Sequence, residues 1–283
     1  MRKIPICGLT AVLMAVLPLR VWAGPKVHVG AKVGSAAQVS IEQIDHRAWD
    51  TLLRKYCDDK GFVNYQAWKN SAADMQALDQ YLALLSSANS SRSASANHKF
   101  AFWINAYNAV TVKGILREYP TTSIRNHTAK VVGYNIWHDL LINVGGQDFS
   151  LDQIEHKVLR PMGDPRIHFA IVCASIGCPP LLHRAYNAEE LGGQLDYSAK
   201  QFFANPQNFS VTGSGDIRLS QIMNWFPKDF GPNQAAVLKR IAPYLPTPQA
   251  QALARSGRAQ VSYLEYDWGL NDQAALRNST ANR

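Results

Sequence analysis

Phe100-Ala101-Phe102-Trp103-Ile104-Asn105-Ala106-Tyr107-Asn108-Ala109-Val110 is the stretch that organises this chain. It is apolar on nearly every side, continues to Arg117, and is stopped by Tyr119-Pro120. A surface helix carries one apolar stripe, so a helix that is apolar all round belongs at the centre of a domain. Asn105 and Asn108 lie three apart on one face, which takes two amides into the interior. Such amides must be hydrogen-bonded, to the backbone of neighbouring loops or to a ligand, and the internal solution is the commoner one. Asn105, Tyr107 and Asn108 are therefore candidate binding residues, with a structural role as the alternative.

Towards the N-terminus, Ile41, Ile44, Ala48, Leu52 and Tyr56 recur at helical spacing, and Asp59-Lys60-Gly61 ends that helix. Met75, Leu78, Leu82 and Leu85 stripe a second helix, and Ser86 to Asn97 reads as an exposed loop. Towards the C-terminus the pattern changes to strands. Val131 to Trp137 is one, and Leu140 to Val144 with Gln147 to Leu151 make a hairpin turning at Gly145-Gly146. Ser150 and Gln153 form a capping box for a short helix through Leu159. Asp164-Pro165 is a turn, Ile167 to Val172 a short apolar strand, and Cys173-Ala174-Ser175-Ile176-Gly177-Cys178-Pro179-Pro180 the loop at its end. A helix runs from the box Asn187 to Glu190 as far as Asn205, shorter helices follow Ser220 and Gly231, and Val261 to Asn271 is a last strand. Helices outnumber strands and do not alternate with them. The expectation is an α+β fold: one predominantly helical domain over residues 41–272, its central helix packed on a small mixed or antiparallel sheet.

The ends carry their own message. Met1-Arg2-Lys3, an apolar run from Ile4 through Pro18 and Val21-Trp22-Ala23 have the form of a signal peptide cleaved after Ala23. That run is too short to span a bilayer. Export to the periplasm or the medium is the expectation, with residues 24–40 a flexible tether and 273–283 a polar tail. The net charge of +8 includes Arg2, Lys3 and Arg20, which leaves about +5 after the leader, spread without clusters. A nucleic-acid binder is excluded on that pattern. The expected partner is a small molecule or an envelope component, the expected state a monomer, and no cofactor is implied. With seven Trp in the chain, one large core is favoured over two small ones.

Several segments resemble the family of domain of unknown function number 547, which occurs in exported bacterial proteins and in plant proteins with a leucine-zipper-like extension. They are Phe102 to Asn108, Leu151-Asp152-Gln153-Ile154-Glu155-His156, Asp164 to Ala170 running on through Cys173, Cys178 and Pro179, and Tyr266-Asp267-Trp268-Gly269-Leu270-Asn271. The resemblance extends from Asp45 to Asn271. It implies a shared fold and supplies no reaction.

Three readings of the cysteine loop stand side by side. In the first, Cys173 and Cys178 form a disulfide, worth about 2 kcal/mol for so short a loop, with Cys57 buried and unpaired. In the second, Cys173 is a nucleophile, which needs a base and an orienting group. His168 is nearest in sequence, but on a regular strand an offset of five puts it on the opposite face from Cys173. His156 beside Glu155, or His138 beside Asp139, are the other candidates. The third reading, a metal held by His168, Cys173, Cys178 and His183, has the wrong spacing for zinc, and no metal is expected. Asp267, between Tyr266 and Trp268, is a candidate binding carboxylate or a structural acceptor for a loop. The sequence thus points either to a cysteine-dependent hydrolase or transferase using Cys173, His168, His156 and Glu155, or to a non-catalytic binding module with a stapled loop.

Overall fold

The computed structural model describes residues 25–129 and 133–275. The leader, the first part of the strand expected over 131–137 and most of the polar tail lie outside the described residues. Among the described residues no helix is long and apolar enough to cross a membrane.

Helix α4, Ala96–Glu118, is the axis of the molecule, and every residue from Phe100 to Val112 is buried. The Ser95 hydroxyl caps its start by accepting the His98 N–H (3.2 Å). At its other end, Lys69 donates to the carbonyls of Leu116 and Arg117, a cation at the helix C-terminus. Helices α1 (Arg47–Tyr56), α2 (Tyr65–Asn70) and α3 (Ala72–Ser86) pack around it through stacked rings, Trp49 on Tyr81 and Tyr56 on Trp68. The first helix is shorter than its periodicity predicts. Asp45 accepts the Arg47 N–H and starts α1 afresh, while Ile41–Gln43 forms a separate 3₁₀ turn with its own capping box on Ser40.

Among the described residues three small sheets surround the helices. Strand β1 (Val27–Val29) lies parallel to β4 (Leu140–Val144), which pairs antiparallel with β5 (Gln147–Ser150) across the expected Gly145-Gly146 turn. Strands β2 (Val39–Ser40) and β3 (Ala88–Asn89) form a parallel pair. These contacts correct the tether reading: alternate residues of a short apolar segment find a sheet edge, so 27–29 and 39–40 are part of the fold. Helix α5 (Ile136–Asp139) stands where a strand was expected, because the Asn135 side chain caps the Trp137 N–H. Helix α6 (Leu151–Gln153) begins at the Ser150 capping box and widens into a π-helix over Ile154–Leu159. The rest is α7 (Leu191–Ala204), β6 (Phe209–Val211), β7 (Ile217–Leu219), α8 (Gln221–Trp225), α9 (Pro227–Phe230), α10 (Gln234–Ile241), α11 (Pro248–Ser256) and β8 (Val261–Tyr263). The last strand is shorter than expected. Beyond Tyr263 the chain is held by single bridges, Leu270 to Ser175 and Asp272 to Val63.

The apolar interior falls into two clusters. One is built on α1 to α4 and the β1-β4-β5 sheet, the other on α7 to α11 and the β6-β7-β8 sheet. Trp268 packs against both. The fold is α+β, mainly helical, with its central helix beside small mixed sheets.

Candidate functional site

A cavity of about 300 Å³ opens at the seam between the two clusters. Helix α4 contributes Tyr107, the π-helix Glu155 and His156, and the cysteine loop Cys173 and Cys178. Helix α8 and the segment after β8 supply Trp225, Phe226, Tyr266 and Trp268. Five residues singled out from the sequence, Tyr107, Glu155, His156, His168 and Cys173, therefore line one cavity although they come from four separate segments. His138 lines it too.

Asn105 and Asn108 do not. Asn105 donates to the Tyr186 carbonyl and accepts the Tyr186 N–H (2.8 and 3.0 Å). Asn108 treats the loop before Cys173 alike, donating to the Ala170 carbonyl and accepting the Val172 N–H (both 2.9 Å). Each amide uses both halves of its side chain to fix a backbone that no strand pairs, which is the structural alternative for these two residues. Asp267 is exposed, outside the cavity, and its carboxylate accepts the Gly269 N–H (2.8 Å). It closes a local turn.

The segment expected as a strand over 167–172 is a 3₁₀ helix, Pro165–Phe169, followed by extended chain. Asp164 accepts the Arg166 N–H and Pro165 occupies the first helical position, two start signals that outweigh the apolar run. Strand parity therefore does not govern His168. Its imidazole is 3% exposed, stacks on Phe226 at 4.2 Å, and joins Asp229 through Nε2 at 2.7 Å. Burial pushes the ring down to about 4, the Asp229 carboxylate opposing, so it is neutral at physiological pH. Asp229 is also gripped by two Arg160 nitrogens (2.6 and 2.8 Å), which hold its carboxyl down to about 2. Arg160 in turn reaches His156 Nδ1 (3.1 Å). His183 sits beside Asp59, away from the cavity, so the four residues of the metal reading are not brought together.

Cys57, Cys173 and Cys178 are free thiols, which corrects the disulfide expectation. The sulfurs are engaged in hydrogen bonds instead. Cys178 Sγ accepts the Cys173 N–H (3.0 Å) and the Tyr266 hydroxyl (3.2 Å). Cys173 Sγ lies 3.2 Å from Ser175 Oγ and 3.3 Å from the Tyr266 hydroxyl, and these two oxygens are 2.8 Å apart. Burial opposes ionisation of Cys178, but the donors converging from Cys173, Ser175 and Tyr266 outweigh it and hold that thiol below its ordinary value. The hydrogen bond to Cys178, with burial, pushes Cys173 up. One negative charge shared by two sulfurs, resting on Cys178, is the state these contacts favour. Among the described residues no hydrogen bond joins an imidazole to either sulfur.

Backbone geometry sharpens the loop. Ala174, between Cys173 and Ser175, has φ of 58°, a left-handed conformation that costs a non-glycine residue about 1 kcal/mol. Gly177 is a close-approach position, since a Cβ there would stand 3.0 Å from the Tyr266 ring. Facing the sulfurs, Glu155 is raised from its ordinary value to about 7, chiefly by burial, with Arg160 opposing. Tyr107 faces both Glu155 and the two cysteines. The π-helix that presents Glu155 has a local cause: Pro161 lacks an N–H and cannot continue an α-register, and Arg160 donates instead to the Glu155 carbonyl, five residues back.

Sequence reasoning missed Ser175, Tyr266, Asp229 and Trp225 as members of the site. Tyr266 was within reach, because it opens one of the segments that carry the family resemblance. No curated protein and no solved structure matches the chain. Residues 91–203, which run from just before α4 through the π-helix and the cysteine loop to α7, match the family described as protein of unknown function, DUF547.

Proposed function

We propose that the chain is a thiol-dependent hydrolase or acyltransferase, with Cys173 the nucleophile. The observation that carries this reading is the pair of free sulfurs, hydrogen-bonded with Ser175 and Tyr266, on the wall of a cavity that Glu155 also lines. Cys173 is half-buried whereas Cys178 is 6% exposed, so Cys173 is the sulfur a substrate carbonyl meets. As its sulfur bonds to the carbonyl carbon, its proton passes to the Cys178 thiolate. Glu155, poised near neutrality, protonates the leaving group as the carbon–heteroatom bond breaks, and its carboxylate then takes a proton from the water or alcohol that attacks the acyl group; as the carbon–sulfur bond breaks, Cys178 returns its proton to the Cys173 sulfur. Tyr266 and the Cys173 N–H keep the charge on Cys178 in the resting state. His168 and Asp229 brace the cavity wall.

With the leader read in residues 1–23, this chemistry would act on an envelope or extracellular substrate, and fractionation of the expressed protein tests that placement. The activity itself is tested with p-nitrophenyl acetate. A single acetyl adduct on Cys173 is expected by intact mass and peptide mapping, absent in Cys173→Ala, with turnover slowed about a hundredfold in Glu155→Gln. A protein whose thiols are intact after denaturation yet which takes no adduct is a binding module instead.

A further inference from the structure

We infer that the substrate of this site carries a neutral sugar, bound against the aromatic wall of the cavity; the inference rests on the thiol-enzyme reading and names the substrate class. Trp225, Tyr266 and Trp268 have ring centroids 4.5–5.8 Å apart, so they pack into one continuous surface rather than a cage with a gap for a cation. Trp225 is 44% exposed at the rim. An apolar face of that kind receives the C–H face of a ring and leaves the ring's polar edge free.

The other side of the cavity supplies partners for such an edge. Asp152, Glu155 and His156 from α6 and its π-extension face it together with His138, giving acceptors and donors in one row. A plain acyl chain would cover Asp152 and His138 without hydrogen-bonding to them, at a cost of roughly 1–3 kcal/mol for each group left unpaired. An anionic ligand would meet the Asp152 carboxylate, with the Glu155 carboxyl beside it. A polyhydroxylated neutral ring satisfies both walls at once.

The row does not end at the cavity. Asp152 and His138 also line a second hollow of about 340 Å³, whose other residues include Lys26, Asp148, Ser150 and Gln153. Asp152 and His138 thus face both hollows, so a chain of sugar rings bound at the thiols would meet them at its next ring.

The test uses N-acetylchitotetraose and cellotetraose with the protein carrying Cys173→Ser, so that binding is read apart from chemistry. Saturable quenching of tryptophan fluorescence is expected with at least one of them, weakened about tenfold in Trp225→Ala, a rim residue whose exposure spares the fold. The same sugar is expected to slow alkylation of Cys173 by iodoacetamide in the unsubstituted protein. Binding that Trp225→Ala leaves unchanged, or that does not protect Cys173, would overturn the inference, as would no binding of either sugar at millimolar concentration. The acetyl adduct with p-nitrophenyl acetate is independent of these outcomes, so loss of sugar binding with the adduct retained removes the substrate class and leaves the thiol enzyme standing.

Discussion

At the scale of single residues, the site is a question of where one proton resides. The Tyr266 hydroxyl donates to Cys178 and touches Cys173 and Ser175, so Tyr266→Phe removes a donor from the shared charge and leaves the ring in place. The apparent pKa for alkylation of the pair should then rise by about one unit, read from the pH dependence of iodoacetamide labelling. Glu155 offers a second test. Its folded value is raised from 4.5 to about 7, so the stability due to its protonated form is complete below about pH 4.5 and is lost as pH rises through 7. Glu155→Gln should therefore be more stable than the parent by about 1–2 kcal/mol at pH 8 and no more stable at pH 4.5, by urea denaturation. An equal difference at both pH values would separate the effect from ionisation. The cysteine loop was legible from its residue types, because thiols, Gly177 and Pro179-Pro180 are conspicuous. Their hydrogen-bond partners were not, since one of them is Tyr266, 88 residues away from Cys178.

At the scale of elements, the decisive device is a side chain that replaces a strand. Asn108 pairs with both polar groups of an extended segment, 62 residues away at Ala170 and 64 at Val172, and so fixes the approach to Cys173. Asn108→Ala would strand a buried N–H and a buried carbonyl and should cost about 2–4 kcal/mol, seen as a lower urea midpoint. Helix α4 and the β4-β5 hairpin were readable because each announces itself locally, by an apolar run with caps and by Gly145-Gly146. The 167–172 segment misled because a six-residue apolar run does not distinguish strand from helix. Its local start signals, Asp164 and Pro165, were present and point the right way. The π-register over Ile154–Leu159 had one visible cause, Pro161, although where the widened turn would fall depends on how α6 packs against α4.

At the scale of the whole molecule, the cavity exists because two cores meet. Asp229 of α9 ties that seam, reaching Arg160 at the end of the π-helix and His168 ahead of the cysteine loop. Its carboxyl is held from 3.8 down to about 2, so its contribution is present above about pH 4 and disappears as pH falls through 2. Asp229→Asn should lose about 2 kcal/mol at pH 7, with the gap to the parent about halved at pH 3 and closing only as pH falls to about 2. The α+β, mainly helical class followed from the sequence, but the seam did not. Residues 160, 168 and 229 carry no mark that they meet, and a pair such as Arg160 and Asp229 reads as two surface charges until the fold joins them.

The central claim is that Cys173 is a reactive thiol in a built site, and its most direct test is competition for iodoacetamide in the native protein at neutral pH, mapped by peptide. The account predicts rapid labelling of Cys173, with Cys57 untouched until denaturation because it is buried and its thiol donates to the Leu181 carbonyl. If Cys173 labels no faster than free glutathione while Cys57, Cys173 and Cys178 are all titratable after unfolding, the sulfurs are structural and Cys173 is not a nucleophile.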